Sequence, residues 1–184
     1  MSAEKMNLIC AKLLDMMEEQ SFFSIKATAF IAYAGVSRST FYFYFDSLYD
    51  VLQKIEDDFM EGLLPESEIV ETTRAKRPTK LGASFISKVD YIERHKRTIR
   101  ILTGENGDPS FMPKLINRSK RIARASLRDN PKLSREEVEL MAEYMAAGEI
   151  QTIKWWAASD GRMELCDVLL ALERNTIALY KSVE

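Results

Sequence analysis

The sequence predicts an all-α protein, built from a small N-terminal helical domain and a larger helical C-terminal domain. Apolar residues recur at spacings of three and four along most of the 184 residues, and no stretch shows sustained alternation of apolar and polar residues. Only seven Gly and five Pro interrupt this pattern. A composition that is 46% hydrophobic and 29% charged is typical of a helix-rich globular protein with a substantial core.

The N-terminal domain, residues 1–62, is predicted to contain three helices arranged as a helix-turn-helix unit, followed by a longer fourth helix. The first helix covers about residues 3–19. Ser24 is expected to cap a short second helix over about 25–33. Gly35 ends that helix, because glycine adopts the left-handed conformation that a sharp turn requires.

Serine and aspartate side chains mark the next two helix starts, since they accept hydrogen bonds from the free N–H groups of a first helical turn. Ser37 is expected to cap a third helix of about residues 38–44. Either Asp46 or Ser47 caps the fourth helix, which continues to about Leu64.

The C-terminal domain, residues 63–184, begins with a polar segment from Pro65 to Lys80 that we interpret as a linker or loop. Five helices are predicted beyond it, at about 81–95, 97–103, 109–128, 135–158 and 164–182.

Two of these helices have clear start signals. Asp108 is expected to be an N-cap, followed by Pro109 at the first helical position, where its missing N–H costs nothing. Ser134, with Glu137 three residues later, has the form of a capping box.

The second and third helices form the pattern of a DNA-binding helix-turn-helix, in which the second helix of the pair enters the major groove. Phe41 and Phe45 are four residues apart and should point together into the core. Tyr42, Phe43 and Tyr44 span about 200° of the helix circumference, so at least one of them must be exposed. The exposed face therefore offers aromatic and polar groups to a partner.

The run GVSRSTFYFYF at residues 35–45, with Ala34 before it and Ser47 after it, resembles the signature of TetR/AcrR transcription regulators, roughly AGVSxGTxYxHFxSKExL. Phe22 also stands where that family has an aromatic residue, and the resemblance covers residues 5–60. Together with the charge of Lys26, it implies DNA contacts by Lys26, Thr28, Arg38, Ser39, Thr40, Tyr42, Phe43, Tyr44 and Ser47.

Four positions depart from the family pattern. Leu48 replaces a common phosphate-binding lysine, and Tyr44 replaces a common histidine. Ile31 stands in place of a small alanine, and Lys26 in place of a threonine. The loss of the lysine should weaken the salt-dependent part of DNA affinity.

Charge differs strongly between segments, although it totals only −2. Residues 1–60 carry five Lys/Arg and nine Asp/Glu, a net −4, whereas residues 71–128 carry fifteen Lys/Arg and five Asp/Glu, a net +10. The acidic N-terminal segment has the wrong sign for attracting DNA. Specific binding would therefore depend on two matched half-sites and on base contacts from Arg38 and Lys26.

The run from Leu102 to Phe111, with Ala147-Gly148 and the segment 154–156 further on, resembles the regulatory domain of a Firmicutes-type branch of the TetR family. That branch includes regulators of dihydroxyacetone kinase operons. The resemblance implies a ligand-binding and dimerisation domain, without naming an effector.

The last two helices are the expected dimer element, as a four-helix bundle across a two-fold axis. Gly148 costs roughly 1 kcal/mol relative to alanine inside a helix, which favours close approach of a neighbouring helix. The alternative is that these apolar stripes are the core of one subunit. The predicted interface residues are Met141, Met145, Gly148, Thr152, Trp155, Leu165, Leu169 and Leu172.

The helix at 109–128 carries a stripe of six basic residues. One interpretation is that the stripe binds an anionic effector, the DNA backbone or an acidic protein. The other, which we favour, is that it is a solvated face whose charge offsets that of neighbouring acidic helices. Trp155 and Trp156 similarly suit a ligand pocket, but core or interface positions are commoner for large aromatics. The basic residues are Lys114, Arg118, Lys120, Arg121, Arg124 and Arg128.

No enzyme site, cofactor or metal centre is predicted. His95 is the single histidine, and no phosphate-binding glycine loop is apparent. Cys10 and Cys166 lack nearby cysteine or histidine partners, which argues against a disulfide or a zinc site. Nothing resembles a signal peptide or a membrane span, so the protein is expected in the cytoplasm.

These observations predict a sequence-specific transcriptional regulator, a homodimer that binds a palindromic double-stranded DNA operator and represses in response to an unidentified small-molecule effector. The alternative is a TetR-fold protein-interaction module or coactivator with weakened DNA binding. Leu48 and the acidic N-terminal domain motivate that alternative.

Overall fold

The computed structural model describes residues 3–65, 83–159, 161 and 163–182, and it places α-helix through most of them, with no strand among these residues. The all-α fold class is confirmed. The helices are α1 (Ala3–Glu19), α2 (Ala27–Ala34), α3 (Arg38–Tyr44), α4 (Leu48–Leu63), α5 (Ala83–Arg94), α6 (Lys96–Leu102), α7 (Phe111–Leu127), α8 (Arg135–Ala158) and α9 (Leu165–Ser182).

The first three helices enclose a small aromatic core. Phe30 of α2 and Phe41 of α3 are fully buried and pack edge to face, with ring centroids 6.0 Å apart. Ile9, Leu13 and Met17 cover this core from α1, at the i, i+4 and i+8 positions of one helix face. This packing fixes α3 against α1 and α2, and its opposite face remains open.

Local signals place the turn and the next two helices as predicted. Gly35 has φ 66°, the left-handed conformation that ends α2. The Ser37 hydroxyl accepts a hydrogen bond from the Thr40 N–H at 3.0 Å and caps α3. Ser47, and not Asp46, caps α4, where it forms a capping box with Asp50.

The predicted cap of α2 at Ser24 is wrong. Phe22–Ser24 forms a short 3₁₀ turn, and α2 begins only at Ala27, with Lys26 in the N-cap position. The Ser24 hydroxyl donates to the Ser21 carbonyl at 2.7 Å, so it satisfies the 3₁₀ turn and not the helix.

The predicted start of α7 is also displaced. Asp108 Oδ1 accepts a hydrogen bond from the Ser110 N–H at 2.8 Å, and Pro109 lies in the resulting turn. The helix starts at Phe111, because the aspartate organises the loop before it. The capping box of Ser134 and Glu137 is present as predicted.

α7 and α8 form an antiparallel pair that makes up much of the C-terminal half. Arg124 pairs with Glu139 at 2.6 Å, and Lys120 pairs with Glu143. The residue nearer the end of α7 thus meets the residue nearer the start of α8, as antiparallel helices require. The stretch 66–82, which includes most of the predicted linker, lies outside the described residues.

α4 connects the two halves through a shared core. Phe59 packs against Phe111 of α7 with ring centroids 6.1 Å apart, and against Tyr91 of α5 at 5.9 Å. The hydrophobic core is therefore continuous from α1 to α9. The predicted boundary at residues 62 and 63 falls at the end of a helix whose buried face belongs to both halves.

Candidate nucleic-acid interface

One face of α3 is buried and the opposite face is exposed. Phe41 and the C-cap residue Phe45 lie in the core, whereas Tyr42 and Phe43 are exposed, the latter by 73% of its surface. The tyrosine hydroxyl and the apolar ring are thus both accessible on a short helix whose position is set by its buried side.

The N-terminal end of α3 adds polar groups to this face. Arg38 and Ser39 are exposed, and Thr40 is partly buried. The Ser37 hydroxyl shares hydrogen bonds with the hydroxyls of Ser39 at 2.9 Å and Thr40 at 2.7 Å. These three hydroxyls therefore form a small network at the helix start, while Arg38 supplies the cation.

The remaining predicted contact residues are distributed over three elements. Lys26 and Thr28 are exposed at the start of α2. Ser47 is exposed but its side chain caps α4. Tyr44 is half-buried, and its ring meets that of Phe43 edge to face at 5.0 Å.

Leu48, at the position of the missing lysine, is buried at the first position of α4. Its side chain packs into the core instead of pointing toward a phosphate. The leucine is thus explained by its packing in the core, and this position supplies no basic side chain to the exposed surface.

Some acidic side chains of residues 1–60 form ion pairs with the C-terminal half. Arg97 of α6 binds Asp15 at 2.7 Å and Glu18 at 2.8 Å, both on α1. These hydrogen bonds hold the pKa values of the two carboxyl groups below their ordinary range. The acids are therefore neutralised within the protein, which reduces the repulsion expected toward DNA.

The same complementarity continues along α4. Lys114 of α7 binds the buried carboxylate of Glu56 at 2.9 Å, and Arg118 pairs with Glu61. With Lys120 and Arg124 paired to α8, at least four of the six predicted stripe residues pair with acidic neighbours on other helices. This finding supports the interpretation of the stripe as a face that offsets acidic helices.

The loop between α6 and α7 fastens the end of α1. The Asn106 side-chain amide donates to the Met17 carbonyl at 2.8 Å, and its backbone carbonyl accepts from the Phe22 N–H at 2.9 Å. The Tyr49 hydroxyl donates to Asp108 at 3.4 Å. Residues 104–111 thus connect the two halves structurally, a role that was not predicted from the sequence.

Gly107 is required in this loop for steric reasons. A Cβ atom at this position would lie 2.3 Å from the backbone oxygen of Leu102, a group that cannot rotate away. We expect Gly107→Ala to lower the free energy of unfolding by about 1–3 kcal/mol, the usual cost of overpacking, as measured by urea denaturation.

Glu105→Ala is the control for Gly107→Ala, because Glu105 is exposed in the same loop. Its free energy of unfolding should stay within about 0.5 kcal/mol of the wild-type value. Equal stability of both variants would show that the loop tolerates a shift at residue 107.

The exposed apolar surface of α8 coincides with the predicted stripe at Trp155, but nearer the start of the helix it lies one residue earlier than predicted. Leu140, Tyr144 and Trp155 are exposed by 70%, 64% and 50%. Met141 and Met145 are instead half-buried against a small core formed by α7 and α8. Sequence reasoning missed Leu140 and Tyr144, because apolar spacing alone did not reveal which of two neighbouring stripes α7 covers.

The remaining predicted interface residues also divide between core and surface. Leu165 and Leu169 of α9 are buried within the chain, so they do not offer surface to a second subunit. Thr152 and Leu172 are half-buried, and Gly148 is exposed. Trp156 is buried, and its indole N–H donates to the Met163 carbonyl at 3.1 Å.

A cleft of about 590 Å³ lies between the end of α1 and the loop that follows α6. Glu18, Glu19, Arg100 and Asn106 are among its lining residues. This charged lining differs from the mostly apolar walls of typical small-molecule sites.

Among the described residues, no group of three His, Cys, Asp or Glu side chains is placed to hold a metal ion. None of the helices in the described part of the chain combines the length and apolar character needed to cross a membrane.

Residues 80–169 match the family TetR_C_8, described as transcriptional regulator C-terminal region. A TetR transcriptional regulator from Streptococcus agalactiae 2603V is 18% identical and has a TM-score of 0.67, with 94% of this chain and 93% of that chain covered. The dihydroxyacetone kinase operon activator DhaS is 17% identical, with a TM-score of 0.66 and 98% of each chain covered. No curated protein matches the chain.

The two solved structures establish the fold along nearly the whole chain, and the family match covers the C-terminal region. These matches are to transcriptional regulators and to an operon activator. The resemblance predicted from the sequence is confirmed: residues 80–169 match the C-terminal region of TetR-type transcriptional regulators, and nearly the whole chain shares the fold of the two solved structures.

Proposed function

We propose that the chain is a homodimeric, ligand-responsive repressor that binds a palindromic operator in cytoplasmic DNA through α3. The observation that carries this proposal is the two-sided character of α3. Phe41 anchors its inner face, while Arg38, Ser39, Tyr42 and Phe43 are exposed on the outer one. Groups of this kind suit base edges and phosphates in a major groove.

The exposed stripe of α8 supports the proposed dimer. Leu140, Tyr144 and Trp155 lie on one helix face together with Gly148, and a two-fold axis would pair this face with its copy. Exposed apolar surface of this extent on one helix is typical of interaction sites. The proposed interface therefore centres on α8.

Gly148 provides a test of this interface. A Cβ atom at Gly148 would meet nothing within 4 Å among the described residues, so packing within one subunit does not require a glycine. We expect Gly148→Ala to weaken the dimer by about 1–3 kcal/mol through overpacking between subunits. Sedimentation equilibrium of the full chain measures the dissociation constant.

Ser126→Ala is a control for the general effect of adding helix propensity, since Ser126 is exposed on α7, outside the stripe. The dissociation constant of this variant should match that of the wild type. A dimer of unchanged affinity in Gly148→Ala would place the interface elsewhere.

The contacts between the two halves support a route for regulation. A ligand that favoured one arrangement of the C-terminal domains would change the separation of the two α3 helices and so shift the population that fits the operator. Arg97, Asn106 and Lys114 tie α1 and α4 to the C-terminal half, so such movement would reach the DNA-binding helices. Repression is proposed because it is the commoner mode among TetR-type regulators, and activation, the role of the operon activator DhaS, is the second mode.

The second candidate function is a protein-interaction module with weakened DNA binding. Burial of Leu48 favours it, because the position that often holds a phosphate-binding lysine offers none here. The exposed aromatics of α3 would then contact a protein and not a base pair.

A titration with the DNA that flanks the gene separates the two functions. Fluorescence anisotropy at about 50 and 200 mM salt should show sequence-selective binding that weakens with salt, as expected when phosphates are neutralised. A scrambled duplex of equal length and composition is the matched control. Absence of selective binding at both salt concentrations would support the interaction module.

A further inference from the structure

Phe43 is the most exposed apolar side chain on α3. The residue is 73% exposed, and its ring meets that of Tyr44 edge to face at 5.0 Å. Ser39 is four residues earlier in the helix, so both side chains lie on the same exposed face. An accessible phenylalanine on a surface otherwise rich in hydroxyls indicates a contact with an apolar group.

The major groove limits what that group can be. Base edges there present hydrogen-bond donors and acceptors, with one apolar exception, the 5-methyl group of thymine. A phenylalanine ring can neither donate nor accept a conventional hydrogen bond, so burying it against the other edges would leave polar groups unsatisfied. We infer that Phe43 reads a thymine methyl group in each half-site of the operator, an inference that rests on the proposed function.

The composition of α3 gives this contact particular weight. Arg38 is the only cation within Arg38–Tyr44, and Leu48 at the start of the next helix is buried. Non-specific attraction to phosphates from this region is accordingly limited, and discrimination between sequences falls to a few direct contacts. The methyl contact would make the protein prefer thymine over cytosine at one position of each half-site. This preference would come from the methyl group and not only from the hydrogen bonds that the base can form.

The test uses DNA that differs by one methyl group. Duplexes that bind the full-length wild-type protein are first enriched from a random-sequence library. Each thymine of the enriched half-site is then replaced in turn by deoxyuridine, which keeps the base pair and its hydrogen bonds and removes only the methyl group. Binding is measured by fluorescence anisotropy for the wild type, Phe43→Ala and Phe43→Leu.

At one thymine position, deoxyuridine in a single half-site should weaken wild-type binding roughly fourfold, the effect of one buried methyl-sized group, and deoxyuridine in both half-sites roughly sixteenfold. Phe43→Ala should bind the thymine and deoxyuridine duplexes equally, whereas Phe43→Leu should keep part of the difference. Phe23→Ala is the matched control, because Phe23 is an exposed phenylalanine of the same domain outside α3. It should discriminate like the wild type.

Three results would overturn the inference. Wild-type binding that ignores every methyl group, or an enriched site that lacks thymine, would remove its basis while leaving the proposed function intact. Full discrimination by Phe43→Ala would assign the methyl contact to another side chain. Failure to enrich any duplex would instead overturn the proposed function itself. Circular dichroism of each variant confirms that the helical fold is retained.

Discussion

Replacing Arg38 and Tyr42 together by alanine is expected to abolish operator binding while the dimer stays intact. Both side chains are exposed on α3. The Tyr42 ring meets that of Phe41 edge to face at 5.2 Å, but the burial of Phe41 against Phe30 does not depend on this contact. A base contact by an arginine contributes about 1–3 kcal/mol, and a dimer loses it in both half-sites, a total of about 2–6 kcal/mol. Anisotropy titration of the operator and sedimentation equilibrium measure the two properties separately.

Arg128→Ala is the matched control for charge. Arg128 follows α7 at the end opposite Lys114, which contacts α4, and it is exposed beside Asp129. Its removal lowers the net charge by the same unit as Arg38→Ala, yet operator affinity should change little. If the double variant at Arg38 and Tyr42 kept its affinity, α3 would not be the DNA-reading helix.

Replacing Lys114 by methionine is expected to destabilise the protein by about 3–5 kcal/mol near pH 7, the usual consequence of leaving a buried charge without its partner. Lys114 binds Glu56, whose side chain is only 1% exposed, and the second carboxylate oxygen of Glu56 has no hydrogen-bond partner among the described residues. The methionine keeps the length and apolar stem of lysine. Urea denaturation measures the loss.

The loss should depend on pH in a defined direction. Burial raises the pKa of Glu56 above its ordinary value even in the wild type, and removing Lys114 removes the main opposing interaction. A carboxyl group with a raised pKa in the folded state binds protons more tightly when folded. The free energy of unfolding therefore falls as the pH rises from the pKa of the group in the unfolded chain to its higher pKa in the folded protein. The variant should therefore be closer to the wild type at about pH 5 than at about pH 7.

A double variant, Glu56→Met with Lys114→Met, is the control for this interpretation. An apolar pair of similar volume leaves no charge in the core, so much of the stability should return at neutral pH. Measurements below about pH 4.5 are avoided, since Asp15 and Glu18 have lowered pKa values and their stabilising contribution is lost as they protonate. A pH-independent loss in Lys114→Met would show that the effect is packing and not charge.

The contacts behind these predictions give the charge asymmetry a structural meaning. Arg97, Lys114 and Arg118 each bind acids of α1 or α4, so the basic segment of the chain faces the acidic one across the junction of the two halves. Part of the net charge of −4 on residues 1–60 is thus used in ion pairs that join the two halves, and this part is not presented to DNA. Sequence reasoning could count these charges but could not assign their partners.

Features that depend on a few neighbouring residues could be predicted from the sequence. Gly35, Ser37 and the pair of Ser134 with Glu137 act within one turn of the backbone, and all three are found where they were expected. The inward direction of Phe41 and Phe45 follows from their spacing of four residues. The turn at Gly35 and the third helix were therefore determined by the sequence alone, whereas the start of α2 was not.

Features that depend on distant partners were decided only by the tertiary structure. Asn106 holds the chain at Met17 and Phe22, where the 3₁₀ turn displaces the predicted start of α2. The exposed stripe of α8 contains Leu140 and not Met141, since α7 covers one of two apolar stripes of similar spacing. Local hydrogen bonds and helical periodicity are encoded by near neighbours along the chain, whereas the choice of buried face and the pairing of charges arise when separate helices meet.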